Sequence, residues 1–197
     1  MPPLQLGLAI LTPFTALDTD GLLAVRNHDT VRPYMPDPAP LAPETHARYV
    51  HRHLLQGGAT LVWLARAEGV PIGFGLLRRL NPAAVELGVM VVAAHQRSLL
   101  PARIAVALTA LASRSLGASE LVTYANARHT LALRLNRGFG LLQAPSDKPG
   151  EHCFRTPIDL ALDGPLSRRL TRDLPAEWLL WRPLLGGEES QCAVVTP

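Results

Sequence analysis

Three strand-like runs stand back to back in the middle of the chain, and a long apolar helix follows them. Thr60–Ala67, Ile72–Leu80 and Ala84–Val91 are apolar runs parted by the turn-forming pairs Glu68-Gly69 and Asn81-Pro82. Beyond them, PARIAVALTALASRSL (Pro101–Leu116) repeats Ile104, Ala105, Leu108 and Leu111, with Ala112, on one helical face before Gly117. Consecutive strands joined by tight turns build a sheet, and a helix with an apolar stripe must lie on it. Any fold for this chain has to contain that unit.

The flanking segments extend the alternation. Leu4–Leu11 reads as a strand, and Asp18-Thr19-Asp20 offers capping oxygens before the short helix GLLAVRN. Val31–Pro43 holds five prolines (33, 36, 38, 40 and 43) and must be a loop, with Pro43 opening a second helix that runs to Gly57-Gly58. In that helix His46, Tyr49, Val50, His53 and Leu54 fall on one face. Glu120–Tyr124 reads as a strand, Ala127–Asn136 as a helix capped by Asn126, and Leu141–Gln143 and Glu151–Pro157 as final strands.

After Pro157 the character changes. Two of the three tryptophans, Trp178 and Trp181, precede a Gly-Gly-Glu-Glu-Ser break. Residues 1–157 are therefore expected to form the domain and 158–197 an extension, which packs its tryptophans on the domain or serves as a homodimer contact or flap.

Composition excludes several classes. Hydrophobic residues at 48% and charged residues at 18% rule out a disordered chain. No apolar run reaches the ~18–20 residues needed to cross a bilayer, and MPPLQLGLAI lacks the basic head of a secretory signal, so a soluble cytoplasmic protein is expected. The net charge is +3, but the basic residues are one lysine, Lys148, and 18 scattered arginines, a skew that fits a GC-rich genome. With aromatic residues at 5% and no basic stripe, nucleic acid is not an expected partner. Cys153 and Cys192 have no metal-ligand spacing, and His46, His51 and His53 do not converge, so no metal is expected.

Three stretches resemble the GCN5-related N-acetyltransferase (GNAT) superfamily. VRNHDTVRPYM (Val25–Met35) is similar to its first helix and following loop. VELGVMVVAAHQRSLLPARIAVAL (Val85–Leu108) is similar to its central strand, pyrophosphate loop and cofactor helix. LVTYANARHTLALRLNRGFGL (Leu121–Leu141) is similar to its fifth strand, asparagine-led helix and Gly-Phe turn. The resemblance covers roughly residues 1–157. It implies an α/β (α+β) fold, with a mixed, mostly antiparallel central sheet flanked by helices and followed by a C-terminal extension. It also implies acetyl-CoA as acetyl donor and direct attack by an amine on the thioester.

In the family pattern Gln/Arg-x-x-Gly-x-Gly/Ala, Gln96 holds the first position, but Leu99 and Pro101 replace the glycines. Leucine adds bulk and proline removes an N–H donor, while Arg97 and Arg103 can supply charge. The cofactor is expected to contact Met90, Val91, Val92, Gln96, Arg97, Ser98, Leu99, Leu100, Ala102, Arg103 and Asn126, with a backbone N–H near Met90 or Val91 facing the thioester carbonyl. Glu86, on the central strand, is the candidate base, or else a strand glutamate paired with Arg78 or Arg79. Where many members carry a tyrosine that protonates the leaving thiolate, this chain offers Arg134 or Asn136, depending on which Gly-apolar pair ends the helix; Asn136 is preferred. Arg32, Tyr34, Met35 and His46 are candidates for the acceptor wall, loosely resembling amino-sugar acetyltransferases. The expected acceptor is thus a small-molecule amine. A non-catalytic module with a degenerate pyrophosphate loop is the alternative, and acetylation of protein N-termini a third reading.

Overall fold

The computed structural model describes residues 2–56 and 58–179. Eight strands form one sheet in the order β1-β2-β3-β4-β5-β6-β8-β7: β1 (Leu4–Leu6), β2 (Ala9–Pro13), β3 (Thr60–Ala67), β4 (Val70–Arg79), β5 (Ala84–Val91), β6 (Glu120–Asn126), β7 (Gln143–Ala144) and β8 (Glu151–Pro157). Every pairing is antiparallel except β5 with β6. The helices are α1 (Thr19–Asn27), α2 (Pro43–Tyr49), α3 (Ala93–Gln96), α4 (Leu100–Leu116), α5 (Thr130–Gly138), α6 (Ile158–Asp163), α7 (Pro165–Arg172) and α8 (Ala176–Leu179). The mixed, mostly antiparallel sheet expected from the sequence is the sheet observed.

The expected first strand is instead a hairpin. Gly7 adopts φ +75, which only glycine takes cheaply, and the chain reverses there so that Leu4 pairs with Leu11. Leu8, at the turn, is 95% exposed. The second helix also departs from expectation: α2 widens into π-helical turns over Val50–Leu55. His46 and Val50 are buried, whereas Tyr49 and His53 stack on each other outside the core. The single mixed face therefore divides, and Gly57 lies outside the described residues.

Helix α4 sits against the sheet because glycine makes room for it. A Cβ at Gly75 would lie 2.5 Å from Leu108 and 2.7 Å from Ile104, so no other residue fits without displacing the helix. Gly75 pairs with Trp63 and Val89, which fixes the α4 side of the sheet as theirs. Trp178 is fully buried near Trp63, ring centroids 6.5 Å apart, so α8 packs on this side too. Ile158, Ala161, Leu170 and Trp178 join the same continuous core as the sheet residues. Trp181 and Cys192 lie outside the described residues. On the opposite side, α1 packs on β4, with Gly21 close to Leu64 and Pro71.

The proline-rich loop after α1 is held by that helix's last residues. The Arg26 guanidinium donates to the carbonyls of Asp37 and Ala39, and the Asn27 amide clamps both the N–H and C=O of Leu41. This fixes the short 3-10 turn Arg32–Tyr34 above the sheet.

Candidate functional site

Strands β5 and β6 run side by side for three residue pairs, Ala84–Glu86 against Glu120–Val122, and then separate. β5 stays paired to β4 as far as Val91, and β6 to β8 as far as Asn126, so the sheet splits between them. The split opens a cavity of about 520 Å³ whose inner walls include Leu87, Val89, Val91, Ala125 and Leu135. Its apolar walls suit a slender aliphatic chain and its rim is polar.

The entrance of α4 forms one end of this rim. A helix start normally exposes several N–H donors with a partial positive charge, which attract phosphate. Here the inventory is short. The Leu100 N–H already donates to Ser98 Oγ at 3.1 Å, Pro101 has no N–H, and the Arg103 N–H returns to the Leu99 carbonyl. Pro101, Arg97 and Ser98 line the cavity, and the Leu99 side chain is half exposed. Gln96 also lines it, but its amide is spent inside the protein, donating to the carbonyl of Val91 at 2.8 Å and of Thr30 at 3.5 Å. The side chains of Val92, Leu100 and Ala102 are buried in the core, and the Val92 N–H, like that of Leu100, is used inside the protein, donating to the Ile72 carbonyl.

Arg103 is corrected by the structure. Its guanidinium crowds Gly7 and borders a separate small cavity with Leu170 and Asp173, away from the cleft. It lies six residues beyond Arg97, inside α4 and on the helix's hairpin side, whereas Arg97 precedes the helix. Arg134 on α5, singled out above only as the occupant of a tyrosine position, lines the cleft as Arg97 does, and both are exposed.

At the far end of β6, Asn126 lines the cleft but does not cap the helix. Its Oδ1 accepts from the Arg128 N–H, and the helix starts only at Thr130 with His129 as cap, the ring Nδ1 accepting from Ala132 at 3.2 Å. Burial holds His129 below the usual histidine range, in keeping with the unprotonated Nδ1 the cap requires. Tyr34 stacks on His129 with centroids 3.9 Å apart, joining the loop after α1 to the start of α5. Met35 and Asn136 line the same cavity. Thr30, which the sequence reading did not single out, fastens the loop by accepting from the Ala93 N–H at 2.9 Å.

Two candidates for the acceptor wall stand elsewhere. The His46 ring is 3% exposed and pins α2 to α1 by donating to the Thr19 carbonyl; burial lowers its pKa. Arg32 pairs with Asp29 on the surface. Neither lines the cleft.

Glu86 pairs directly with Arg78 on β4 and stands on the α1 side of the sheet, at the closed end of the split. It does not line the cavity. Lys148, from the loop between β7 and β8, approaches it at 3.6 Å. The same ammonium lies 3.4 Å above the ring of Tyr124, which does line the cleft. The Tyr124 hydroxyl donates to Asp147 Oδ1 at 3.0 Å, and its pKa is pushed up to about 12 by burial and by that bond. None of Tyr124, Asp147 and Lys148 was singled out as a site residue from sequence; the one clue was that Lys148 is the chain's single lysine. Among the described residues no group of three or more His, Cys, Asp or Glu side chains could hold a metal ion. No described helix is long and apolar enough to cross a membrane.

Residues 9–141 match the family model of the acetyltransferase (GNAT) domain. No curated protein matches the sequence. Among solved structures, the chain is similar to the ribosomal-protein-S5-alanine acetyltransferase from Vibrio fischeri, with a TM-score of 0.66 and 13% identity over 81% of this chain and 98% of that one. It is also similar to RimL, the ribosomal L7/L12 alpha-N-protein acetyltransferase solved with coenzyme A, with a TM-score of 0.65 and 12% identity over 81% and 99%. A third, yncA from Salmonella typhimurium, solved with its cofactor acetyl-CoA, gives a TM-score of 0.59 and 18% identity over 76% and 93%.

Proposed function

The chain belongs to the GNAT acetyltransferase family, and from that premise we propose that it transfers an acetyl group from acetyl-CoA to the amine of a small molecule. The observation that carries this reading is the split between β5 and β6, an apolar cleft with two arginines on its rim. Those residues fit the cofactor. Leu87, Val89, Val91 and Ala125 would flank the pantetheine arm, and the exposed guanidinia of Arg97 and Arg134 would meet phosphate oxygens. At the helix entrance the main chains of Leu99 and Ala102 would add to this, since the N–H groups of Val92, Ser98 and Leu100 already donate to the Ile72 carbonyl, the His95 carbonyl and Ser98 Oγ. Bound there, acetyl-CoA supplies a thioester already activated for attack by an amine.

The protein's own groups would bind, orient and deprotonate the acceptor. An alkyl ammonium titrates near pH ~10, so it must lose a proton before it attacks. Glu86 is the carboxylate proposed to take it, on the α1 side of the sheet and beside Tyr124 through the shared Lys148. Met90 on the wall of the split would bring its backbone to the carbonyl under attack. Asn136 would contact the departing sulfur without serving as its acid, because an amide has no proton to give at neutral pH. Tyr34 and Met35 would form the acceptor wall. The Tyr34–His129 stack favours a compact acceptor over a polypeptide, since it ties the loop down at the cleft.

A second reading has one observation in its favour: the helix entrance is poor in phosphate donors, with Leu100 N–H internally satisfied and Pro101 lacking one. On that reading the chain is a binding module that no longer turns over. Calorimetry with acetyl-CoA, followed by a thiol-release assay against a panel of amino-sugars and simple amines, separates the two. Micromolar binding with release on some amine is expected; absence of binding at millimolar acetyl-CoA would overturn the enzymatic reading.

A further inference from the structure

The chain has one lysine, and the fold brings it to Glu86 and to the ring of Tyr124, a residue that lines the cleft. Lys148 belongs to the loop joining the outer strands β7 and β8, yet its ammonium lies 3.4 Å above the Tyr124 ring and 3.6 Å from Glu86 Oε1. Tyr124 follows Val122, the residue paired with Glu86, by two positions, so by strand alternation its side chain shares the Glu86 face just where the strands part. A cation over an aromatic face and beside a carboxylate is the arrangement an acceptor ammonium would need. Tyr124, resistant to ionisation, keeps its hydroxyl proton, donating it in a hydrogen bond to Asp147, and offers a neutral ring to that cation. The Lys148 side chain is 35% exposed and Glu86's is 15%, so the pair is partly shielded but reachable.

We propose that Lys148 occupies the acceptor-amine position and is itself an acetyl acceptor, a self-acetylation site carried on the β7–β8 loop. The inference rests on the acetyl-transfer reading above. Glu86 removes one proton from the Lys148 ammonium, the neutral Nζ attacks the acyl carbon of the thioester, the N–C bond forms and the C–S bond breaks. The sulfur departs with the bonding pair, and the second amine proton goes to the thiolate or to solvent. The product is a neutral amide. It can keep neither the ion pair to Glu86 nor the cation contact with Tyr124, so the loop loses two of the contacts that hold it over the sheet. An external amine competes with Lys148 for the same place.

The full chain is incubated with acetyl-CoA alone, and its intact mass and peptide map are followed in time. One acetyl group at Lys148 is expected, appearing at a rate independent of protein concentration, slowed about 100-fold or more in E86Q and abolished in K148R. Urea-unfolded chain serves as the control for spontaneous acylation. A second readout needs no donor: with a single lysine, reductive methylation with labelled formaldehyde gives one side-chain methyl resonance. It is expected upfield of the unfolded position because of the Tyr124 ring, and to return there in Y124L. If an external amine is acetylated while Lys148 stays unmodified, or its methyl resonance sits at the unfolded position in the folded chain, the proposal is overturned and the acetyltransferase reading stands. If acetyl-CoA does not bind at all, both fall.

Discussion

Replacing Pro101 by alanine is the sharpest test of how the α4 entrance holds phosphate. Of the first three helical residues, Leu100 has its N–H donated to Ser98 Oγ and Pro101 has none, leaving the Ala102 N–H. P101A restores one donor at a residue that lines the cleft, without the flexibility a glycine would add. A hydrogen bond to a charged group contributes about 1.5–3 kcal/mol, which corresponds to roughly 10- to 150-fold in affinity. The low end applies here because the rim is open to water. Losing proline from the first turn costs about 0.4–1 kcal/mol through the unfolded chain, small against the expected gain and separable from it by thermal unfolding. Calorimetry of coenzyme A binding to wild type and P101A should show a gain of about tenfold, with little change in folding. An unchanged affinity in a folded P101A would refute the argument that a missing main-chain donor limits binding. An unchanged P101A beside a loss in R97A would assign the hold to side-chain charge instead.

Other expectations follow from the same geometry. R97A and R134A should each weaken coenzyme A by about five- to tenfold, more at low salt than at high, because exposed charge pairs are screened; calorimetry at two salt concentrations reads this, and R103A, facing the hairpin, should leave affinity unchanged. W178A removes a fully buried ring from beside Trp63 and should cost about 3–5 kcal/mol, or roughly 6–20 °C in melting temperature for a chain of this size; a loss below about 2 °C would mean α8 is not part of the cooperative core. His46 and His129 both have pKa values lowered by burial from an ordinary 6.5. The unfolded chain therefore binds more protons as the pH falls, so their contribution is fully present above about pH 6.5 and is lost on acidification toward the lowered folded values. Urea midpoints should drop between about pH 7.5 and 5.5, and H129N, which keeps a capping side chain, should flatten part of that slope.

The sequence determined the elements and their order, because those depend on periodicity and punctuation within a few residues. The run of β3, β4 and β5, the Glu68-Gly69 turn and the apolar stripe of α4 are legible one segment at a time. So is the helix entrance at Pro101, whereas Gln96 ends the separate short helix α3 and Arg97 follows it. Where local reading failed, one residue set the outcome: Gly7 turned a strand into a hairpin, and a histidine ring, not Asn126, capped α5.

What only the tertiary structure decided is which side chains meet. Arg97 and Arg103 are six residues apart on paper, yet Arg97, in the turn before α4, lines the cleft, while Arg103 faces the β1–β2 hairpin because the rotation of α4 is set by its packing over Gly75. His46 is spent on α1 and Gln96 in part on Thr30, interactions between segments that no local pattern encodes. Lys148 and Glu86 are sixty-two positions apart and come together because β8 pairs with β6 and β6 with β5. Strand register is a long-range agreement among hydrogen-bonded neighbours, and it is that agreement which opens the split between β5 and β6 and sets a lone lysine between Glu86 and the ring of Tyr124.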